Sequence, residues 1–126
     1  MPVKILRSDF APKPIGPYSQ AIQVGKFIFA SGQIAINPRT GMIDSTDIEN
    51  QTRQVFENLS AVLQSAGASL ANIIKTTIFL KEMNDFPRVN EIYAHHFHDV
   101  FPARSTVQVA RLPKDALIEI ECVAYK

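Results

Sequence analysis

Arg104-Ser105-Thr106-Val107-Gln108-Val109-Ala110-Arg111 and Leu117-Ile118-Glu119-Ile120-Glu121-Cys122-Val123-Ala124-Tyr125 both read as β-strands, with Leu112-Pro113-Lys114-Asp115-Ala116 as a turn between them. Each run carries charge where a core strand should not. Side chains alternate across a strand, so Arg104, Thr106 and Gln108 share one face of the first run, and Glu119 and Glu121 share one face of the second. Paired as a hairpin with Arg111 opposite Ala116, the runs would set Gln108 against Glu119 and Thr106 against Glu121. Arg104 would then lie diagonal to Glu121, within reach of a long side chain. An arginine and two carboxylates on one sheet face are either a solvated surface or a site.

Working outward, Pro102 fences this region from a helix that starts near Asn84-Asp85-Phe86-Pro87, where proline is tolerated in the first turn. Phe86, Val89, Tyr93 and Phe97 form its apolar stripe. Before it, Ile73–Leu80 is β-branched and alternating, with Ile74, Thr76, Ile78 and Leu80 expected on one face. The clearest helix begins near Thr46-Asp47-Ile48-Glu49, which has capping-box spacing. Ile48, Thr52, Val55, Phe56, Leu59, Val62, Leu63 and Ala66 recur along it at helical intervals, and Gly67 is placed to end it. Asn37-Pro38-Arg39-Thr40-Gly41 is a turn, and Phe27–Gly32 reads as a buried strand. Tyr18–Val24 alternates, with Tyr18, Gln20, Ile22 and Val24 on one side. Ala11–Pro17 holds three prolines and is neither helix nor central strand. Lys4–Arg7 reads as a short edge strand.

The order is β-β-β-α-β-α-β-β, an α+β chain of 126 residues that fits a single domain, residues 1–126. Two helices cannot cover both faces of a six-stranded sheet. A mostly antiparallel sheet with both helices on one face leaves the other for solvent or a second subunit. Phe27, Phe29, Ile34 and Ile36 add apolar residues beyond the helices' reach, so oligomerisation is expected.

The net charge of +1 gives no global drive toward nucleic acid or acidic membrane. No apolar run approaches the ~20 residues that span a bilayer. Met1–Arg7 lacks the long apolar segment of a signal peptide, so a cytoplasmic protein without a cofactor is expected. Cys122, the only cysteine, excludes an internal disulfide and alternates with apolar neighbours, as a buried inert thiol would. His95, His96 and His98 lack an acidic or cysteine partner at metal spacing, and a helix C-terminus favours histidine by its dipole alone. No metal site is expected.

Seven segments stand in an order and spacing that resemble the RidA/YjgF family of imine deaminases: Gly16-Pro17-Tyr18-Ser19-Gln20, Ser31-Gly32-Gln33, Asn37-Pro38 with Thr40-Gly41, Val89–Tyr93, Pro102-Ala103-Arg104-Ser105, Ala110–Lys114 and Ile118–Glu121. The resemblance runs from about Phe10 to Tyr125. It implies a chorismate-mutase-like α+β fold and a homotrimer whose sheets form a central barrel, with ligand clefts between subunits. It further implies hydrolysis of 2-imino acids, such as 2-iminopropanoate and 2-iminobutanoate, to 2-keto acids and ammonia. These imines escape from pyridoxal-phosphate-dependent serine and threonine dehydratases, a functional link rather than a resident cofactor.

The resemblance also assigns residues. On the residues alone Arg104 reads as a surface arginine paired with Glu121. The family match makes it the substrate arginine, whose planar guanidinium suits a carboxylate. Glu119 matches the acid/base glutamate, leaving Glu121 a structural role tied to a backbone donor. Burial would raise a carboxylate pKa here and Arg104 would lower it. Tyr18 matches a cleft tyrosine, with a plain core tyrosine as the alternative. Ser31-Gly32 ends a buried strand, where Gly32, without a Cβ, would let ligand approach the backbone, with a strand-ending bulge as the alternative. Asn90 matches a position near the cleft but also reads as an exposed helix asparagine. Thr106 stands where many members carry cysteine, so no thiol nucleophile acts there. Two other functions stay open: a non-catalytic module that binds small 2-keto or imino acids and contacts a regulatory partner, and a ribonuclease or translation inhibitor, against which the lack of a basic groove counts.

Overall fold

The computed structural model describes residues 2–126. Along them run β1 (Val3–Leu6), β2 (Ala21–Val24), β3 (Phe27–Gln33), β4 (Ile36–Asn37), β5 (Met42–Ile43), α1 (Ile48–Gln64), β6 (Ile73–Leu80), α2 (Phe86–His95), β7 (Ala103–Gln108) and β8 (Ile118–Tyr125). Six of the strands form one sheet in the order β1-β2-β3-β8-β6-β7. All neighbours are antiparallel except β6 and β7. The short β4–β5 hairpin closes over the expected Asn37–Gly41 turn, with the Gly41 amide donating to the Asn37 carbonyl at 2.8 Å.

Helix α1 starts one residue later than the Thr46 box suggests. Asp47 is the cap, its Oδ1 accepting from the Asn50 amide at 2.7 Å. At the other end Gly67 takes φ +71°, the left-handed conformation that glycine adopts freely, and the Ala68 amide folds back to the Leu63 carbonyl at 3.0 Å. Between these ends the helix buries Val55, Phe56, Leu59, Val62 and Leu63 completely. It lies across β3 and β8 beside α2.

The expected hairpin is absent. Strand β6 lies between β7 and β8, pairing Thr76 with Arg104 on one side and with Cys122 on the other. Helix α2 is the crossover that returns β7 parallel to β6, as a β-α-β unit requires. The connection from β7 to β8 then steps over the end of β6. The Val109 amide donates to the Leu80 carbonyl at 2.9 Å, and the Lys81 amide to the Leu117 carbonyl at 3.0 Å. Neighbouring strands are ~4.8 Å apart, so the turn segment easily spans the ~10 Å to the next strand but one. The central place goes to the more apolar strand, whose Ile78 and Leu80 are fully buried.

This topology overturns the shared face. Directly paired residues point the same way, so Arg104 and Thr106 join Thr76, Ile78, Ile120 and Cys122 on the helix side. Glu119 and Glu121, paired with Phe79 and Thr77, lie on the opposite, open side.

Two local expectations also change. A bulge between Ile73 and Lys75 turns Ile74 away from Thr76, leaving it exposed while Ile73 is buried. Strand β3 alternates rather than being wholly buried. Ile28 and Ala30 face the helices, while Phe27 and Phe29 stand on the open face, Phe27 edge-on to Tyr125 with centroids 5.1 Å apart. Val3, Ile5 and Val107 are further exposed apolar residues there. The sheet face that two helices leave uncovered therefore carries exposed apolar residues beside Glu119 and Glu121.

Candidate functional site

The sequence-predicted residues gather in two places. The first is a cleft of about 540 Å³ on the open side, lined by Tyr18, Ser31, Gly32, Lys114, Glu119 and Glu121 among others. Strand β8 supplies the glutamates. The register of β3 on β8 shifts between Ala30 and Gln33, and the shift puts Gly32 against Glu119. A Cβ on Gly32 would come within 2.8 Å of the Glu119 Cδ, so only glycine admits the carboxylate in this pose. Burial, and next the neighbouring Glu121 charge, raise the Glu119 pKa above its ordinary 4.5. Glu121 is exposed, and no backbone donor among the described residues holds its carboxylate, contrary to its expected structural tie.

Around this carboxylate the loop at Gly16–Gln20 is pinned at its C-terminal end. Ser31 Oγ donates to the Ser19 carbonyl at 2.7 Å, and the Ser31 amide to the Gln20 carbonyl at 2.9 Å. Buried Gln20 donates to the carbonyls of Ser8 and Pro12, tying the proline-rich segment to the cleft. Tyr18 is half exposed, not a core tyrosine, and its hydroxyl accepts a long 3.4 Å bond from the Ile15 amide. The hydroxyl proton is left for a ligand or water. Lys114 and Asp115 adopt φ of 55° and 53°, a conformation costly for residues with a Cβ. Lys114, part of the turn between the two strand runs, lines the cleft as well.

The second place is the helix side of β7. Arg104 Nη1 donates to Asn90 Oδ1 at 2.9 Å. Its guanidinium carbon lies 5.1 Å from the Phe86 ring centroid and 4.8 Å from that of Tyr93. Tyr93 is in turn held by a 2.7 Å hydrogen bond shared with Thr76 Oγ1. Asn90 is thus a partner of Arg104 rather than a free surface amide. The two salt bridges among the described residues are Arg88–Glu49 and Arg111–Asp115, so Arg104 has no carboxylate partner and does not pair with Glu121. Thr106, two residues along the same face, has a buried hydroxyl with no hydrogen-bond partner. An oriented guanidinium without an anion and an unsatisfied hydroxyl are chemically matched to a small carboxylate.

Glu119 and Arg104 are therefore not brought together within one chain. They stand on opposite sheet faces, on strands separated by β6. The remaining candidates are structural: His96 stacks on Phe56 at 4.2 Å and its Nδ1 meets the Ile92 carbonyl at 2.8 Å. Cys122 is buried on the helix side, its thiol pKa pushed up to about 12 by burial.

Comparison with known proteins gives a consistent family. The family described as Endoribonuclease L-PSP matches residues 9–126. A RutC family protein of Pyrococcus horikoshii is 57% identical over 123 residues, covering 98% of this chain and 98% of that one. A Dermatophagoides farinae protein named 2-iminobutanoate/2-iminopropanoate deaminase is 45% identical over 122 residues, covering 97% of this chain and 95% of its own. Among solved structures, the Rid-family protein YyfA of Yersinia pestis, described as of unknown function, superposes with a TM-score of 0.97 at 51% identity, over 99% of this chain and 100% of that one.

Proposed function

This chain belongs to the RutC/YjgF/RidA family, and on that premise we propose that it hydrolyses small 2-imino acids to 2-keto acids and ammonia. The reading is carried by Arg104: a guanidinium set over two aromatic rings, fixed by Asn90, and with no carboxylate partner among the described residues. Its free N–H groups fit a substrate carboxylate, with the Thr106 hydroxyl as a further donor. Because Glu119 lies on the other sheet face, the working cleft joins Arg104 of one copy to Glu119 of a second. The exposed apolar residues of the uncovered face support such assembly, and a homotrimer is the form proposed.

In this cleft Glu119 is the proton carrier. It takes a proton from water as the water oxygen bonds to C2 of the imine. The C=N π electrons move to nitrogen, which receives the proton from Glu119, giving a carbinolamine. Its hydroxyl proton then passes through Glu119 to nitrogen as the C–N bond breaks, releasing ammonia and the keto acid. A carboxyl with a raised pKa exchanges protons in both directions more readily near neutral pH. Tyr18 orients the water or substrate, and Ser31 and Gly32 form the floor. Enzymes that generate 2-imino acids, such as serine and threonine dehydratases in the cytoplasm, would supply the substrate. The cleft sets two carboxylates against two lysines, which is no basic groove for a phosphate backbone and counts against RNA cleavage.

The test is ammonia release from imine supplied by a threonine dehydratase. Arg104→Ala should lose at least about a hundredfold in rate while keeping its size in solution. Full activity in that variant removes the assignment. Binding of 2-ketobutyrate by wild type with no rate enhancement would favour a regulatory module.

A further inference from the structure

Helix α1 lines none of the Glu119 cleft, yet two of its buried amides hold both of that cleft's walls. Gln51 and Asn58 are 3% and 1% exposed. They stand about two turns apart and so project from one helix face. Asn58 Nδ2 donates to the carbonyls of Ile34 at 3.1 Å and Ile36 at 2.9 Å, while its Oδ1 accepts from Gln54 at 3.0 Å. Ile34 and Ile36 wall the cleft immediately beyond Gly32. On the other side, Gln51 Oε1 accepts from the Leu117 amide at 2.9 Å, just before Glu119 enters β8. Gln51 Nε2 donates to the Ser45 carbonyl at 2.8 Å, anchoring the amide to the start of its own helix.

Burial of the helix face does not call for amides. Leucine would fill either position and avoid desolvating polar atoms. What leucine cannot do is hold a strand end or a carbonyl pair at a set distance. The close seat of the Glu119 carboxylate on Gly32 requires both walls to be held, because either one moving outward opens the contact. We infer that Gln51 and Asn58 are positioning residues that press the two walls of the cleft together and seat the Glu119 carboxylate against Gly32. The inference rests on the hydrolase reading for its catalytic consequence, though not for its geometry.

Carbon-13 NMR titration of the Glu119 carboxyl tests it without turnover. Within one chain burial and Glu121 raise this group, Lys13 and Lys114 line the same cleft, and in the proposed assembly Arg104 of a second copy faces it. Gln51→Leu should lower its midpoint toward the ordinary 4.5 as the strand end relaxes into water. Where imine hydrolysis is measurable, Gln51→Leu should lose about tenfold or more in kcat with KM little changed. Should Gln51→Leu fail to fold, Asn58→Leu takes its place in the titration. A folded leucine variant in which Glu119 titrates as in wild type overturns the inference. A wild type without hydrolysis defeats the hydrolase reading instead, and the titration alone then decides.

Discussion

The carboxylate of Glu119 rests on the Cα of Gly32, with no room for a single added methyl between them. The contact joins a bulged strand to its neighbour and decides where the acid sits. Gly32→Ala should therefore fold, since the residue is at a cleft wall, but should push Glu119 aside. Displacement of about 1 Å costs on the order of a hundredfold in rate. Circular dichroism together with the ammonia-release assay checks it, and an active Gly32→Ala protein would show that the contact is incidental.

Glu119→Gln should abolish activity and yet stabilise the protein at neutral pH. A carboxyl whose folded pKa is raised opposes folding once ionised: its favourable contribution is complete below the unfolded value of 4.5 and is lost as pH rises through the folded value. The amide escapes that loss. Thermal unfolding at pH 7 should thus show Glu119→Gln melting above wild type, with the gap closing toward pH 4. An unchanged or lower midpoint at pH 7 would contradict the buried-acid description.

The unsatisfied Thr106 hydroxyl makes a similar trade. Thr106→Val removes a buried polar atom without a partner, so the free protein should gain about 1 kcal/mol in denaturant unfolding. The same change should weaken 2-ketobutyrate binding several-fold in calorimetry, while Thr106→Ser, which keeps the hydroxyl, should bind as wild type does. Tighter binding by Thr106→Val would remove the hydroxyl from the ligand site.

Cys122 should resist alkylation in the folded state at pH 8, because a thiol at about 12 holds almost no thiolate and is covered by the core. Mass spectrometry before and after unfolding gives the comparison. Rapid native labelling would mean that the sheet opens.

Much of the fold was legible in local signals. Helix α1 announced itself through an acidic cap, a 3.6-residue apolar rhythm and a closing glycine. Strand β6 was readable to its end residues from β-branching, though no signal in Ile73-Ile74-Lys75 betrayed the bulge. The β7–β8 pairing misled because proximity in sequence favours a hairpin, whereas the α2 crossover commits β7 to the far side of β6. Strand parity remained correct within each strand: Arg104 and Thr106 share a face, as do Glu119 and Glu121. What alternation cannot supply is the relation between faces of strands that are not neighbours. For the site, family motifs picked out Arg104 and Asn90, and the structure then joined them by a hydrogen bond. Nothing in the sequence marks the amides of Gln51 and Asn58, because polar residues on a helix read as solvent-facing until the sheet is laid beside them.

The opposite placement of Arg104 and Glu119 has a genetic reading. Two alleles, one carrying Arg104→Ala and the other Glu119→Gln, would each encode a dead enzyme. Co-expressed, they should recover part of the activity, because a cleft built from the first chain's Glu119 and the second chain's Arg104 contains no defect. A chain carrying both substitutions could contribute to no such cleft, and its co-expression with wild type should poison every junction it enters.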